Sequence, residues 1–314
     1  MKSRPWRLIF LGTPQFAVPS LAALLKAGEE VLAVITQPDR PRGRGLKLSL
    51  SPVKELALSH GLPVLQPVRL NDPEFVAALK DLAPELMVAT AYGRILTPEM
   101  LAIPSMGSLN VHASLLPRHR GAAPINWSLI RGDKETGVTI MWMAHELDTG
   151  PIVLQKPVVI LPEDNAGTLA VKLAEQGGDL LVEALERLRR GEGLKIDQPE
   201  TGVTYAPPIS PEMRLIHWEK SAPEVAGWIR GLDPRPGAYT IWQGNRLRLF
   251  GARVEKPTEQ KAAPGTALGL VEGRLEVACG QGTLSVKELQ QPGHKRLPAE
   301  AFLRGQHLLG QVLG

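Results

Sequence analysis

Three side chains near the middle of the chain have the types and spacing for acyl-group chemistry. They are Asn110 and His112 in "NVHASLLPRHRGAAP" (110–124), and Asp148 in "HELDTGPI" (145–152). "GSLNVHA" (107–113) reads as a strand, and residues two apart on a strand share a face. Asn110 and His112 therefore project together while Val111 packs on the opposite side. An asparagine amide carries two N–H donors, and a histidine donates or accepts near neutral pH. Donors that converge on one point suit an oxygen that becomes anionic during acyl transfer. Asp148 offers the proton acceptor. It follows the strand "VTIMWM" (138–143), so it is expected at the same kind of sheet edge, the three side chains meeting from two neighbouring strand tips. Taken singly, each has an ordinary structural reading: a hydrogen-bonded strand end for Asn110, a satisfied core histidine for His112, a turn or cap residue for Asp148.

The elements that must hold these residues alternate in type. "RLIFLG" (7–12), "EVLAVITQ" (30–37), "LPVLQP" (62–67), "ELMVATAY" (85–92), "GSLNVHA" and "VTIMWM" read as strands, with helix-like spacing over 15–27, 51–60, 73–82 and 122–132. That alternation argues for an α/β domain with a Rossmann-like, mostly parallel sheet covered on both faces. Sites in such sheets form outside the carboxyl ends of the strands. "PIVLQKPVVI" (151–160) adds a strand or hairpin. A long amphipathic helix follows, its leucines at 169, 173, 180, 181, 185 and 188, with Gly191 placed to stop it. The Gly- and Pro-rich stretch from 191 reads as a linker. Beyond it, short strands and frequent glycines predict a smaller, mainly β-barrel, OB-like C-terminal domain. The expected division is a catalytic domain over 1–190, a linker over 191–208 and a second domain over 209–314.

Composition excludes several classes. The 43% hydrophobic and 22% charged shares are those of a soluble globular protein, and no run approaches the ~20 apolar residues that span a bilayer. Gly12, Pro14 and Gln15 interrupt the first apolar stretch, which reads as a strand and turn and not as a secretory signal. A cytoplasmic protein, and a monomer, is expected. One cysteine, Cys279, permits neither a disulfide framework nor a cysteine-rich metal site. Gly12 alone does not make a dinucleotide fingerprint, and His119 with His145 has no metal-ligand spacing, so no metal is expected. Residues 1–208 hold 22 Lys+Arg and 22 Asp+Glu; residues 209–314 hold 14 against 10. The basic excess of the last third suggests a polyanionic partner, with an ordinary solvated surface as the alternative.

"DRPRGRGLKL" (39–48) concentrates Arg40, Arg42, Arg44 and Lys47 in an interval whose glycines and prolines read as an extended, flexible loop. It is either solvated surface or, lying after the second strand on the carboxyl edge, a grip for RNA that orders on binding.

"NVHASLLPRHRGAAPI", followed about thirty residues on by "LDTG", resembles the signature of the folate-dependent formyltransferases. "FLGTPQFAVPSL", "TQPDRPRGRGLKLSLSPVK", "ATAYGRIL" and "LDTGPI", with the weaker "HWEKSAPEVAGWIRGLDPRPGAYT", are similar to the branch that formylates methionine carried on initiator tRNA. The resemblance implies catalytic roles for Asn110, His112 and Asp148, and 10-formyltetrahydrofolate as one-carbon donor. It sets Ser114, Leu115, Leu116 and Pro117 along the folate and Tyr92, Gly93 and Ile95 around its pterin. It also implies that Arg40, Arg42, Arg44 and Lys47 contact the tRNA acceptor end, Arg44 foremost. His119 stands where the pattern has an aromatic residue, and "HE" (145–146) is an unusual lead-in to "LDTG". A formyltransferase acting on a small amine, a hydrolase releasing formate from formyl-folate, and a non-catalytic RNA-binding protein are the competing readings. The basic loop argues against the first, and the Asn110, His112 and Asp148 set against the last.

Overall fold

The structure, a computed structural model, describes residues 4–42, 47–255 and 262–314, without the side chains of 40–42, 47 and 48. The chain forms two compact units. One comprises Met1–Ala122, Thr136–Val158 and Ala170–Tyr205, the other Ala123–Glu135, Val159–Leu169 and Ala206–Gly314.

The first unit is built on β1 (Arg7–Gly12), α1 (Val18–Ala27), β2 (Glu30–Ile35), β3 (Arg40–Arg42), β4 (Lys47–Ser49), α2 (Pro52–Ser59), β5 (Val64–Leu65), α3 (Pro73–Asp81), β6 (Leu86–Thr90), α4 (Pro98–Leu101) and β7 (Gly107–His112). After α5 (Pro124–Ile130) come β8 (Glu135–Trp142), β9 (Ile152–Val159) and α6 (Ala166–Arg189). Three helices begin with the same chemistry: Ser51, Asp72 and Thr97 accept from backbone N–H groups of the first turn, and each is followed by proline, which lacks only an N–H that would go unbonded there. The seven-stranded sheet has the order β5-β2-β1-β6-β7-β8-β9. β5, β2, β1, β6 and β7 run parallel, and β8 runs antiparallel to β7. Strands covered on both faces are mostly apolar, as in β6, "LMVAT", where every residue is buried and only Thr90 is polar. α6 covers one face through two adjacent glycines. A Cβ on Gly177 would lie 2.9 Å from Val111 Cγ1, and one on Gly178 2.8 Å from Pro19 O. Val111 thus points at α6, and Asn110 and His112 point to the other face.

Arg40–Arg42 and Lys47–Ser49 pair as an antiparallel hairpin, Arg42 opposite Lys47, where the composition suggested a flexible loop. Pairing over Arg40–Arg42 and Lys47–Ser49 overrides the loop-forming tendency of Pro41. Arg44 lies outside the described residues, as do the side chains of Arg40, Arg42 and Lys47.

The second unit adds α7 (Ala222–Leu232), β10 (Ala238–Trp242), β11 (Asn245–Phe250), β12 (Arg253–Val254), β13 (Ala267–Val271), β14 (Arg274–Ala278), β15 (Thr283–Val286), β16 (Glu288–Gln290), β17 (Leu297–Pro298) and α8 (Ala299–Arg304). Its strands form two antiparallel four-stranded sheets, β10-β11-β16-β17 and β12-β15-β14-β13, around a core that includes Trp218, Trp242, Leu249, Val277 and Phe302. The runs β11–β12 and β15–β16 pair with each other in both sheets and bend together at Gly251 (φ +63°) and Lys287. A side chain at Gly251 would meet Lys287 Cβ at 2.9 Å, so glycine serves both the bend and the close approach. α5 belongs with this unit because Gly227 and Gly231 of α7 let its backbone come close: a Cβ there would lie 2.7 Å from Leu129 O and 2.9 Å from Asn126 O.

Cys279 sits in this core at 6% exposure, and burial pushes its thiol up to about 12. At pH 8 the thiolate fraction is then on the order of 10³ below that of a free cysteine. Ellman's reagent is expected to label Cys279 slower by at least that factor in the native protein than in denaturant. Rapid labelling without denaturant would show that this core opens.

Candidate active site at the end of β7

β6 and β7 are parallel, with Ala89 opposite Asn110, so the segments after both strands leave the same edge of the sheet. β8 does not join them there. Its antiparallel register sets His112 opposite Thr139 and Leu109 opposite Trp142, so β8 ends beside the start of β7, where Met143 N–H bonds Ser108 O. The sequence-based expectation of two neighbouring strand tips is therefore corrected. Asp148 reaches the site because the segment 143–151 doubles back. The return is closed by Trp142 N–H donating to Pro151 O at 2.9 Å. At Gly150 the backbone passes so close that a Cβ would lie 1.9 Å from Trp142 O. Asp148 itself has φ +55°, a conformation aspartate tolerates better than most residues.

The result is a buried pair. His112 Nδ1 lies 3.6 Å from Asp148 Oδ2, with side chains 6% and 7% exposed. His112 Nε2 lies 3.0 Å from His119 O, which can only accept, so Nε2 carries the hydrogen. Asp148 Oδ2 accepts from Gly121 N–H at 2.8 Å. The segment His119–Gly121 thus fixes both partners, the imidazole by a carbonyl and the carboxylate by an N–H. Both ring nitrogens face protein acceptors. Of the two expected donors, the one left without a hydrogen bond to any described residue is the half-buried Asn110 amide.

The segment after β7 is tightly packed. Ser114 is fully buried and its hydroxyl donates to Arg118 O at 2.6 Å. Leu115 folds over Gly137, and Leu116 packs with Met141 and Ile152. The Leu116–Pro117 peptide is cis. Thr139 Oγ donates to Ser114 O and accepts from Leu116 N–H, while Gln155 Nε2 donates to Leu116 O. After β6, Tyr92 is buried, which pushes its phenol up, whereas Ile95 is 73% exposed. Gly93 has φ +79°, and its missing side chain makes room for Gln37, whose amide donates to Tyr92 O at 2.9 Å. At the foot of the β3–β4 hairpin, Asp39 accepts from Lys54 and Gln66, and these bonds, Lys54's first, hold its carboxyl below the usual range. Lys54 is thereby committed to a protein carboxylate.

Sequence reasoning missed Gln198 and Thr204, which lie in the stretch read as linker. Gln198 Nε2 donates to Asp148 O and Gly150 O, its Oε1 accepts from Arg120, and Thr204 Oγ accepts from His119 N–H. The visible signal there was composition alone, and glycine and proline masked it.

A mostly parallel α/β sheet that gathers asparagine, histidine and a seated aspartate at one strand end, followed by antiparallel β-structure, is the layout of a group-transfer enzyme of the formyltransferase class. The family model for formyl transferase matches residues 6–185 and that for the formyl transferase C-terminal domain matches 208–307; the chain belongs to this family. It is 51% identical over 312 residues to the methionyl-tRNA formyltransferase of Moorella thermoacetica, covering 98% of this chain and 99% of that one. To the methionyl-tRNA formyltransferase of Pelotomaculum thermopropionicum it is 47% identical, covering 98% of each. Among solved structures, an N-formyltransferase from Helicobacter canadensis in complex with folinic acid and dTDP-3-aminofucose shares the fold, with TM-score 0.69 at 19% identity over 91% of this chain and 99% of that one. No helix among the described residues is long and apolar enough to cross a membrane.

Proposed function

We propose that this chain transfers the formyl group of 10-formyltetrahydrofolate to the α-amine of methionine esterified to initiator tRNA, as a cytoplasmic monomer. The names of its relatives at 47–51% identity support the acceptor, and the folate analogue named with the Helicobacter structure supports the donor. The observation that carries the chemistry is the buried His112–Asp148 pair beside the uncommitted amide of Asn110.

A free α-amine titrates at about 7.7–8.0, so a useful fraction is nucleophilic at neutral pH. Its nitrogen bonds to the formyl carbon, and the carbonyl π pair moves onto oxygen. Asn110 donates to that oxygen. His112, its nitrogens turned to His119 O and Asp148, contributes positive charge beside it when the ring holds a second proton. The His112–Asp148 pair takes the proton from the new ammonium. Collapse restores the carbonyl, breaks the bond to N10 of the folate, and returns that proton to N10. Ser114–Pro117 and Tyr92, Gly93 and Ile95 line the folate in this reading, while Arg40, Arg42, Arg44 and Lys47 meet the tRNA acceptor end.

The C-terminal domain, from about residue 209, holds more distal phosphates. Support comes from three guanidinium groups on the outer face of β10 and β11, away from the core residues Leu247 and Leu249. Arg248 pairs across from Tyr239 and Arg246 from Ile241; Arg246 and Arg214 lie 4.8 and 5.9 Å from the Tyr239 ring centre. Burial, then the like charges of Arg248 and Arg246, lower the pKa of Arg214. Among the described residues none of the three is ion-paired with a carboxylate, so an anion would relieve their repulsion. Replacing Arg246 and Arg248 together by glutamine should lower the slope of log affinity for tRNA against log salt by about 2 and raise KM for tRNA about tenfold, with kcat kept. Anisotropy titrations at several salt concentrations read the slope, and an unchanged slope removes this contact.

The function is tested by incubating the protein with 10-formyltetrahydrofolate and methionine-charged initiator or elongator tRNA, and assaying formyl-methionyl ester. Formate release without the ester would point to a hydrolase. Formylation of a small amine with charged tRNA ignored would point to another acceptor.

A further inference from the structure

The segment read from composition as a linker makes more polar contacts to the catalytic loops than a tether requires. Resting on the reading above, we infer that Gln198 is a positioning residue for the reaction, its side-chain amide holding the Asp148 segment against the His119–Gly121 segment and so setting the His112–Asp148 geometry.

Four hydrogen bonds saturate this amide. Nε2 donates to Asp148 O at 2.9 Å and to Gly150 O at 2.8 Å; Oε1 accepts from Arg120 Nη2 at 2.7 Å and Nε at 3.1 Å. The orientation follows from the partners. Turned over, the amide would set its oxygen against two carbonyls and its NH₂ against a guanidinium, losing all four bonds. Arg120 is flanked by the two residues that hold the catalytic pair, His119 by its carbonyl on His112 and Gly121 by its N–H on Asp148. Gln198 is therefore one side chain that ties the Asp148 backbone to the residue between those two anchors. The same segment returns at Thr204, which accepts from His119 N–H through Oγ at 2.8 Å and from Arg120 N–H through its carbonyl at 2.9 Å, while Arg120 and Tyr205 form a parallel bridge. The His112–Asp148 separation of 3.6 Å is slightly longer than a hydrogen bond, so a small displacement in either direction changes proton transfer between them.

Gln198→Met keeps the length and removes all four bonds. Gln198→Glu keeps an acceptor for Arg120 and turns a carboxylate oxygen toward two carbonyls. Single-turnover kcat of both is expected to fall about 10- to 100-fold, with KM for folate and tRNA within about threefold of wild type, because misplacement near 1 Å costs up to ~10² in rate. On an Asp148→Asn background, Gln198→Met should lower the rate by less than about twofold more, since the position it maintains no longer matters chemically. A purely structural role would multiply the losses. The ¹⁵N signals of the His112 ring, assigned by their loss in His112→Gln, should shift in Gln198→Met while far-UV circular dichroism stays native. This readout needs no substrate, so it decides the inference even if the wild type ignores charged tRNA. Unchanged His112 signals, a rise in KM with kcat kept, or full additivity with Asp148→Asn would each overturn it.

Discussion

Asn110→Ala and Asp148→Asn should each lower the single-turnover rate of formyl transfer by about 10² to 10³, about 3 to 4 kcal/mol, while tetrahydrofolate binding should stay within about threefold. The two losses have different origins. Asn110 is the amide with no hydrogen bond to a described residue, so its truncation removes a donor and leaves no buried partner stranded. Its effect is expected in the transition state, where the carbonyl oxygen would acquire charge. Asp148→Asn keeps an oxygen for Gly121 N–H and nearly the same shape, but removes the charge facing His112 Nδ1. Burial at 7% exposure makes that charge hard for water to replace. Native circular dichroism with a reduced rate is the expected pairing. Rates within threefold of wild type in both variants would leave the pair and the amide without a catalytic role.

The parts of this site legible in the sequence were those that depend on local periodicity. "NVH" on a strand fixes that Asn110 and His112 share a face, and β7 has those bounds. Gly191, read as a helix stop, adopts φ +75° just past α6. The rest depends on direction and long-range pairing. "VTIMWM" has the same residue pattern whether it runs parallel or antiparallel to its neighbour, because side chains alternate either way. Nothing local marks the doubling back of 143–151, which needs the register of β8 on β7. Gln198 was invisible for a related reason: its three partner residues lie 48 to 78 residues away, and Pro199 and Gly202 around it read as tether. At 40–42 and 47–49 charge and proline content outweighed any strand signal, yet the backbone pairs.

Gly150→Ala should lower the rate by about 10² or more and destabilise the fold by about 1 to 3 kcal/mol. The glycine of "LDTG" carries no positive φ in this structure; its necessity is steric. A Cβ would lie 1.9 Å from Trp142 O and 2.9 Å from Trp142 C, both backbone atoms of β8, where no side-chain rotation can make room. Nor can the strands part freely, because the next residue closes the return through the bond from Trp142 N–H to Pro151 O. The added methyl is therefore accommodated by moving the 143–151 segment, and that segment carries Asp148 two residues upstream. Gly150 O also accepts from Gln198, so the same displacement loosens the second tie on the loop. Gly193→Ala is the matched control: nothing lies within 4 Å of its Cβ position, and its rate and melting temperature should stay at wild-type values. Thermal melts and single-turnover rates on the two variants separate the cases. Wild-type turnover in Gly150→Ala would mean that the carboxylate tolerates a shift of its whole loop, and that proton transfer at His112 does not depend on where Asp148 stands.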